Sequence, residues 1–178
     1  MEKVIVNESP LGRGVFARVP IEQGETIFFV AGKLIDFEAS RTPGGEYSIQ
    51  IGQKIYVDPI SPSRFLNHSC QPNAGLVDDI RLIALRQIVP NEEICFDYST
   101  SMLERHWELD CLCGSENCRR VIQDFDLLPT PLQRHYISLG IVQSFILQEI
   151  GAPIPPGSIP LEPLVSKKAT SDRILHSM

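Results

Sequence analysis

A run of polar residues at positions 67–73, with the sequence Asn-His-Ser-Cys-Gln-Pro-Asn, restricts the possible folds of this chain more than any other feature. It lies between apolar stretches, so a compact chain would bury part of it. Buried polar side chains are almost always hydrogen-bonded to the protein, to water or to a ligand. The fold must therefore place polar groups, a ligand or a metal beside this run.

Cysteines form a second constraint. Three of the five lie within eight positions, at Cys111, Cys113 and Cys118. An odd total and such close spacing favour a metal site over a set of disulfides, and hence a reducing compartment. A structural zinc ion prefers four ligands in a tetrahedron, so one more ligand must come from elsewhere in the chain. The candidates for this fourth ligand are Cys70, Cys95 and His106.

Composition and charge narrow the class of protein. Of the 178 residues, 43% are hydrophobic, which is enough for one domain with a real core and an appendage. No apolar run is long enough to span a membrane, and the first residues lack the apolar stretch of a signal peptide. We therefore expect an intracellular protein, cytoplasmic or nuclear, with no membrane partner. A formal net charge of -6 argues against direct nucleic-acid binding and suits a basic peptide as partner.

The first hundred residues have the pattern of many short strands. These segments are rich in β-branched and aromatic residues or alternate between polar and apolar, with glycine and proline between them. We predict strands at residues 4–6, 25–30, 46–51, 54–57, 80–86 and 93–96. Gly52 and Gln53 form a plausible hairpin turn between two of them.

The pattern changes after residue 100. A short helix is predicted at 101–109, and another is predicted to begin at Thr130, with Pro131 at its first position. Gly140 either ends that helix, with a second one at 142–150, or the helix continues to 150. Residues 151–178 contain five prolines and are predicted to form an extended tail.

Four blocks, taken in order, resemble the SET-domain protein-lysine methyltransferases. They lie at residues 12–17, 64–73, 96–98 and 111–118, and the resemblance runs from about residue 2 to residue 120. It implies a mainly β fold, the β-clip of small curved sheets with a knot-like crossing, with short helices and a C-terminal helical segment. The expected division is a SET core at 1–100, a zinc-binding post-SET segment at 101–120, a helical appendage at 121–150 and the tail at 151–178.

The resemblance also implies two bound groups, S-adenosylmethionine and one structural zinc ion. The residues expected to contact S-adenosylmethionine are Gly12, Arg13, Gly14, Val15, Phe16, Arg64, Asn67, His68, Tyr98 and Leu112. Arg64 would meet the carboxylate of the cofactor and Leu112 would pack on its adenine. For zinc, the resemblance selects Cys70 as the residue that joins Cys111, Cys113 and Cys118.

Tyr98 is the residue expected to carry the chemistry. Methyl transfer needs a neutral lysine held in line with the methyl group, which demands positioned hydroxyl and carbonyl groups rather than a dedicated base. The resemblance implies a second tyrosine at Tyr47, with Tyr56 as a rival. It also assigns to Phe96 the control of how many methyl groups are added, and a phenylalanine there implies di- or trimethylation.

The leading hypothesis is therefore a protein-lysine N-methyltransferase acting on a histone tail or another basic protein, as a monomer or homodimer. Two alternatives stay open. One is an inactive SET fold that only binds partners, and the other is a methyltransferase restricted to a non-histone target. The intact polar cluster argues against the first, because idle buried polar groups destabilise a fold.

Overall fold

A computed structural model describes residues 2–105 and 107–154, so residues 155–178 of the predicted tail lie outside the described residues. The strands are β1 (Val4–Ser9), β2 (Gly12–Ala17), β3 (Thr26–Phe29), β4 (Gly32–Asp36), β5 (Ile49–Gly52), β6 (Ile55–Pro59), β7 (Asn67–His68), β8 (Ala74–Val77), β9 (Arg81–Ala84), β10 (Glu93–Phe96), β11 (Glu108–Asp110) and β12 (Val121–Gln123). The helices are α1 (Phe37–Ser40), α2 (Thr130–Ser138) and α3 (Ser144–Glu149). Single 3₁₀ turns lie at Gly45–Tyr47, Ser63–Phe65, Tyr98–Ser101 and Phe125–Leu127.

The strands form several small sheets, as the sequence predicts for this fold class. Their orders are β1-β2-β10-β7, β3-β9-β8 and β4-β6-β5, with β11 and β12 as a separate pair. One apolar cluster, including Val15, Leu76, Leu82 and Ile94, fills the space between the larger sheets. The prediction of a mainly β fold with few short helices is confirmed. Among the described residues, the helices are all too short and too polar to cross a membrane.

One parallel strand pair brings the polar run at 67–73 next to the block at 96–98. Strand β10 pairs with β7, so that Cys95 lies opposite Asn67 and Phe96 opposite His68. On its other side, β10 pairs with β2, where Glu93 lies opposite Phe16. The three sequence blocks at 12–17, 67–73 and 96–98 are therefore neighbours in one sheet.

Two local predictions are wrong. Residues 46–51 were expected as a strand, but Gly45–Tyr47 forms a 3₁₀ turn and β5 begins only at Ile49. The turn follows Gly44, whose φ of 96° lies in the left-handed region that favours glycine. The expected helix at 101–109 is also absent from the described residues of that stretch, which ends in β11.

The reason for the missing helix is that side chains from distant segments bind its backbone amides. The amide of Leu103 donates to Gln50, and those of Glu104 and Arg105 donate to Asp124. In a helix over residues 101–109, the amides of Glu104 and Arg105 would instead bond to carbonyls four residues earlier, whereas that of Leu103 would lie in the first turn.

The C-terminal segment forms two helices rather than a continuous one. Gly140, with a φ of 69°, lies between α2 and α3 and allows the left-handed conformation that commonly ends a helix. Helix α2 begins at Thr130 as predicted, although Thr130 is its first residue and no side chain caps it. Both helices contribute to a second apolar cluster, here called the C-terminal cluster, of Phe125, Leu128, Tyr136, Ile141, Val142, Phe145, Ile146 and Leu147.

Candidate active site

Tyr98 lies at the point where β10 ends and a 3₁₀ turn begins. Its hydroxyl donates a hydrogen bond to the Leu66 carbonyl at 2.7 Å. The ring centroid lies 5.0 Å from that of Phe96 and 5.3 Å from that of His68. Burial raises the pKa of Tyr98, so the hydroxyl stays protonated at neutral pH. The sequence-predicted tyrosine is thus fixed in one orientation by a hydrogen bond and two aromatic neighbours.

A narrow cavity of about 70 Å³ opens beside this tyrosine. Tyr98, Phe96 and Leu66 line it together with Tyr47 and Trp107. Phe96 is only 2% exposed, so its ring forms part of the wall rather than the mouth. The cavity therefore combines aromatic and aliphatic walls with polar groups, among them Glu46, Ser101 and the oxygen atom of Tyr98, an arrangement that suits a long side chain with a polar end.

Tyr47 and Arg64 form the outer part of the same cavity. Tyr47 is 47% exposed, and the Arg64 guanidinium lies 4.2 Å from the centroid of its ring. Arg64 also pairs with Asp58 at 2.8 Å. Arg64 thus already has two partners within the chain, and its contact with a cofactor carboxylate stays a prediction. Tyr56, the rival to Tyr47, is almost fully buried in β6.

The glycine-containing block at 12–17 is strand β2, and its neighbour β7 carries Asn67. The Asn67 amide donates to the Arg13 carbonyl at 3.0 Å and to Glu93 Oε1 at 2.6 Å. A Cβ added at Gly14 would come within 2.2 Å of the same Glu93 oxygen, so a larger residue here would displace the carboxylate from its place beside Asn67. Val15 is fully buried in the core, which leaves only its backbone available to a cofactor.

His68 is 6% exposed and contacts three groups of the site. Its Nδ1 accepts a hydrogen bond from the Tyr98 amide at 3.2 Å and lies 3.5 Å from Asp97 Oδ1. Its Nε2 lies 3.3 Å from Cys70 Sγ. Burial, and secondarily the charge of Arg119, lower the pKa of His68 to about 4, although Asp97 opposes the shift. The imidazole is therefore neutral at pH 7, and because Nδ1 accepts, Nε2 carries the proton and donates to Cys70.

A thiol-rich cluster adjoins His68. The ligand atoms of His68, Cys70, Cys111 and Cys113 all lie within 4.8 Å of one another. Cys118 lies outside that group, but its thiol contacts the Cys111 carbonyl at 3.6 Å. Thiolates are the ligands that zinc prefers in structural sites, so this cluster fits a zinc ion.

Backbone donors around these sulfurs support the same interpretation. The amide of Arg119 donates to Cys70 Sγ and that of Arg120 donates to Cys118 Sγ, each at 3.4 Å. Amide hydrogen bonds of this kind stabilise a negatively charged thiolate. Cys95, the other sequence candidate, is only partly exposed on β10, and burial raises its pKa to about 12, as suits a thiol that stays protonated. The remaining candidate, His106, lies outside the described residues.

Leu112 lies between two of these cysteines and is 73% exposed. An apolar side chain so exposed beside polar residues leaves its surface free for a flat apolar group. This position agrees with the expectation that Leu112 packs on the cofactor, which stays a prediction.

Sequence reasoning missed the residues that support the site. Glu93 binds the Asn67 amide, and Arg119 forms two hydrogen bonds to Asp97 at 2.6 and 2.8 Å. Tyr136, from α2, donates to the same carboxylate at 2.8 Å. Arg119 directly follows Cys118, which is the one signal that could have drawn attention to it. Nothing local marks Tyr136, because its partner lies 39 residues earlier.

Comparison with known proteins identifies relatives of this chain. Residues 12–99 match the sequence model of the SET domain. Over 130 residues the chain is 34% identical to the histone-lysine N-methyltransferase trithorax of Drosophila virilis, covering 62% of this chain and 3% of that protein. Over 142 residues it is 31% identical to "Probable histone-lysine N-methyltransferase set-23" of Caenorhabditis briggsae, covering 66% of this chain and 59% of that protein. The chain thus spans less than two thirds of either relative.

Solved structures show the same architecture. Arabidopsis thaliana SUVH6, determined in complex with S-adenosylmethionine, is similar with a TM-score of 0.56 and 25% identity, over 67% of this chain and 32% of that one. The methyltransferase domain of human SETMAR is similar with a TM-score of 0.54 and 24% identity, over 67% of this chain and 57% of that one.

Proposed function

Because this chain carries a SET domain, we propose that it transfers methyl groups from S-adenosylmethionine to a lysine side chain of a basic protein. The observation that supports this most is the position of Tyr98. Its hydroxyl donates to the Leu66 carbonyl beside a narrow cavity, and its ring packs against those of His68 and Phe96. The three blocks that the resemblance assigns to cofactor and catalysis are neighbours in one sheet.

The chemistry required of the protein is to hold a neutral amine in line. At pH 7, deprotonating a lysine with its ordinary pKa of about 10.4 costs about 4.6 kcal/mol. The aromatic and aliphatic part of the cavity wall, formed by Phe96, Leu66 and Trp107, favours the neutral amine over the ammonium. The Tyr98 hydroxyl donates its hydrogen bond to the Leu66 carbonyl. The Tyr98 oxygen can therefore still accept a hydrogen bond from the amine. Tyr98 and Tyr47 thus orient the lysine, and orientation is the main contribution the side chains make.

S-adenosylmethionine would supply an electrophilic methyl group and a positive sulfonium when bound. The residues that would hold it are those of the 12–16 block with Asn67, His68 and Leu112, and Arg64 at the outer edge. Two observations support this set: the Asn67 amide group donates to the Arg13 carbonyl of β2, and the side chain of Leu112 is largely exposed.

We further propose that Cys70, Cys111, Cys113 and Cys118 bind the zinc ion. His68 is close enough to compete, but its Nδ1 accepts an amide hydrogen bond, and its Nε2 proton is then directed at Cys70. A nitrogen that carries a proton cannot ligate a metal. His68 therefore supports the Cys70 thiolate by a hydrogen bond, and Cys118 completes the tetrahedron.

The substrate is a histone or another basic protein of the nucleus or cytoplasm. Two observations support this: the net charge of -6 attracts a basic partner, and the relatives at 31–34% identity are named as histone-lysine methyltransferases. Phe96 adds no hydroxyl of its own to the cavity wall beside Tyr98, which favours di- or trimethylation.

Methyl transfer from labelled S-adenosylmethionine tests the proposal. Purified protein would be offered histones, ribosomal proteins and total cell lysate, with Tyr98→Phe and Tyr56→Phe as variants. We expect label on lysine that falls at least about 100-fold in Tyr98→Phe, as for loss of a group that positions the reacting atoms, and persists in Tyr56→Phe. Cofactor binding without any transfer would favour a binding module, and absence of cofactor binding would reject the assigned pocket.

A further inference from the structure

Asp97 is the most heavily bonded side chain of the site. It is 1% exposed, and its two carboxylate oxygens accept hydrogen bonds from three parts of the chain. Arg119 forms a fork on both oxygens, at 2.6 and 2.8 Å. The Tyr136 hydroxyl donates to Oδ2 at 2.8 Å, and the Ser99 amide donates to Oδ1 at 3.1 Å. A buried carboxylate is stabilised only when such partners are all present.

This carboxylate connects directly to the catalytic tyrosine. Asp97 precedes Tyr98 in the chain and caps the 3₁₀ turn that Tyr98 begins. Its Oδ1 also lies 3.5 Å from His68 Nδ1, which accepts the Tyr98 amide. A rotation of the Asp97 side chain would therefore disturb the backbone from which Tyr98 extends.

The same carboxylate also restrains the cysteine-rich segment. Arg119 directly follows Cys118, and its backbone amide donates to Cys70 Sγ at 3.4 Å. The fork between Arg119 and Asp97 thus ties the end of that segment to β10. Bidentate pairs of this kind fix geometry as well as adding energy.

Tyr136 reaches this network from outside both segments. It lies on α2, is 2% exposed and has its ring packed in the C-terminal cluster. Its hydroxyl is the single group of α2 that bonds to Asp97 in the described part of the chain. Because the ring of Tyr136 is packed in the C-terminal cluster, its hydroxyl is kept in position to donate to Asp97.

We infer that Tyr136 is a positioning residue, which orients Asp97 and thereby holds both Tyr98 and the zinc-binding segment in place for the reaction. This inference rests on the proposed function for its effect on catalysis. It assigns to the C-terminal helices, which follow the part of the chain that resembles the family, an indirect role at the cofactor pocket, exerted through Asp97.

Tyr136→Phe tests the inference, because it removes the hydroxyl and keeps the ring. The matched control is Ser144→Ala, which removes a hydroxyl of the same C-terminal unit that donates to the buried carboxylate of Asp79 at 2.6 Å instead of to Asp97. The two readouts are the dissociation constant for S-adenosylmethionine and the rate at which a chelator extracts zinc.

We expect Tyr136→Phe to weaken cofactor binding about tenfold and to speed zinc extraction by a similar factor, the size typical of losing one hydrogen bond to a charged group. Ser144→Ala should change the dissociation constant and the rate of zinc extraction by less than about twofold each, since the effects of substitutions at separate sites are usually independent. Both variants should lower the melting temperature, so a loss of stability alone cannot produce the difference.

Equal behaviour of the two variants would overturn the inference and leave the proposed function standing. If the wild-type protein did not bind S-adenosylmethionine, the proposed function would fail, and zinc extraction would decide the inference alone. Arg119→Lys is the second variant, with the Tyr136 ring and hydroxyl intact. This variant keeps the positive charge but loses the pair of hydrogen bonds to Asp97. An unchanged rate of zinc extraction in Arg119→Lys would also reject the proposed network around Asp97.

Discussion

Phe96 gives a prediction about the product of the proposed reaction. It is nearly fully buried, and its ring centroid lies 5.0 Å from that of Tyr98 in a cavity of about 70 Å³. In Phe96→Tyr the added hydroxyl would take up room beside the lysine nitrogen. We expect the combined share of di- and trimethyl-lysine to fall at least about tenfold, because displacements near 1 Å cost on the order of 100-fold in rate.

Mass spectrometry of the methylated substrate measures this change. Phe29→Tyr is the matched control, since Phe29 is 58% exposed on β3 and should leave the product ratio unchanged. An unaltered ratio in Phe96→Tyr would show that Phe96 does not limit the number of methyl groups.

At this scale, local sequence pointed to the groups proposed to carry the chemistry but not to those that orient them. Tyr98, Asn67 and the cysteines lie in the local blocks on which the resemblance to the SET family rests. Tyr136 and Glu93 act through partners 39 and 26 residues away. Contacts over such separations depend on how the sheets pack, and no local pattern records them.

The cysteine-rich segment is the element that we expect to depend most on the proposed zinc ion. Strands β11 and β12 have three residues each, and a two-stranded pair of that length is not stable alone in water. Removing zinc with a chelator should therefore open this pair and weaken cofactor binding. Hydrogen exchange would show the amides of β11 and β12 losing protection while those of β8 and β9 keep theirs.

Cysteine variants identify the ligands of the same element. Cys118→Ser should lose most of the bound zinc, measured as zinc per chain, and Cys95→Ser should keep one ion. Full zinc content in Cys118→Ser, together with loss in His68→Ala, would instead show that the histidine is the fourth ligand.

The start of α3 gives a prediction on pH. Asp79 is 5% exposed and accepts hydrogen bonds from both the amide and the hydroxyl of Ser144. Burial raises the pKa of Asp79 from its ordinary 3.8, and Asp78 adds to the shift, although the Ser144 bonds oppose it. The folded state therefore holds the Asp79 proton more tightly than the unfolded state, and this contribution to stability is lost as pH rises through the folded pKa.

Comparing the wild type with Asp79→Asn isolates this contribution, because the variant cannot ionise at that position. The free energy of unfolding of the variant relative to the wild type should increase from pH 4 to pH 7, measured by urea unfolding. Zinc ligands titrate in both proteins alike and cancel in the difference. A difference that stays constant over this range would contradict the raised pKa.

The errors of prediction at the scale of elements have a common cause. The stretch at 101–109 looks helical in isolation, but Gln50 and Asp124 bind the amides of residues 103–105. Tertiary hydrogen bonds of this kind override local propensity. The strand pattern before residue 100 was easier to predict, since alternation and turn residues lie in the same short window.

Across the whole molecule, the C-terminal helices and the SET core pack as one unit. The C-terminal cluster also contacts Val77 and Leu85 from the core, and the Gln143 amide donates to the Thr100 carbonyl at 3.1 Å. The sequence suggested an appendage at 121–150 because its pattern changes from strands to helices. That change in pattern does not predict how tightly two segments pack.

Gly75→Ala tests this packing at its closest point. Gly75 lies on β8, and a Cβ there would come within 2.5 Å of Cγ2 of Ile141, which is 1% exposed between α2 and α3. Overpacking of a dense core costs about 1–3 kcal/mol, so we expect that loss in the free energy of unfolding.

Urea unfolding followed by the fluorescence of Trp107 and by far-UV circular dichroism measures both the loss and its cooperativity. Gly52→Ala is the matched control, because its Cβ would meet Ile55 at an ordinary 3.4 Å. If the core and the C-terminal helices fold together, Gly75→Ala shifts both signals in a single transition, since a substitution at their contact destabilises both. Separate transitions, with the Trp107 signal unchanged, would show that the C-terminal helices unfold independently of the core. Tyr136 could then not restrain Asp97 once these helices unfold.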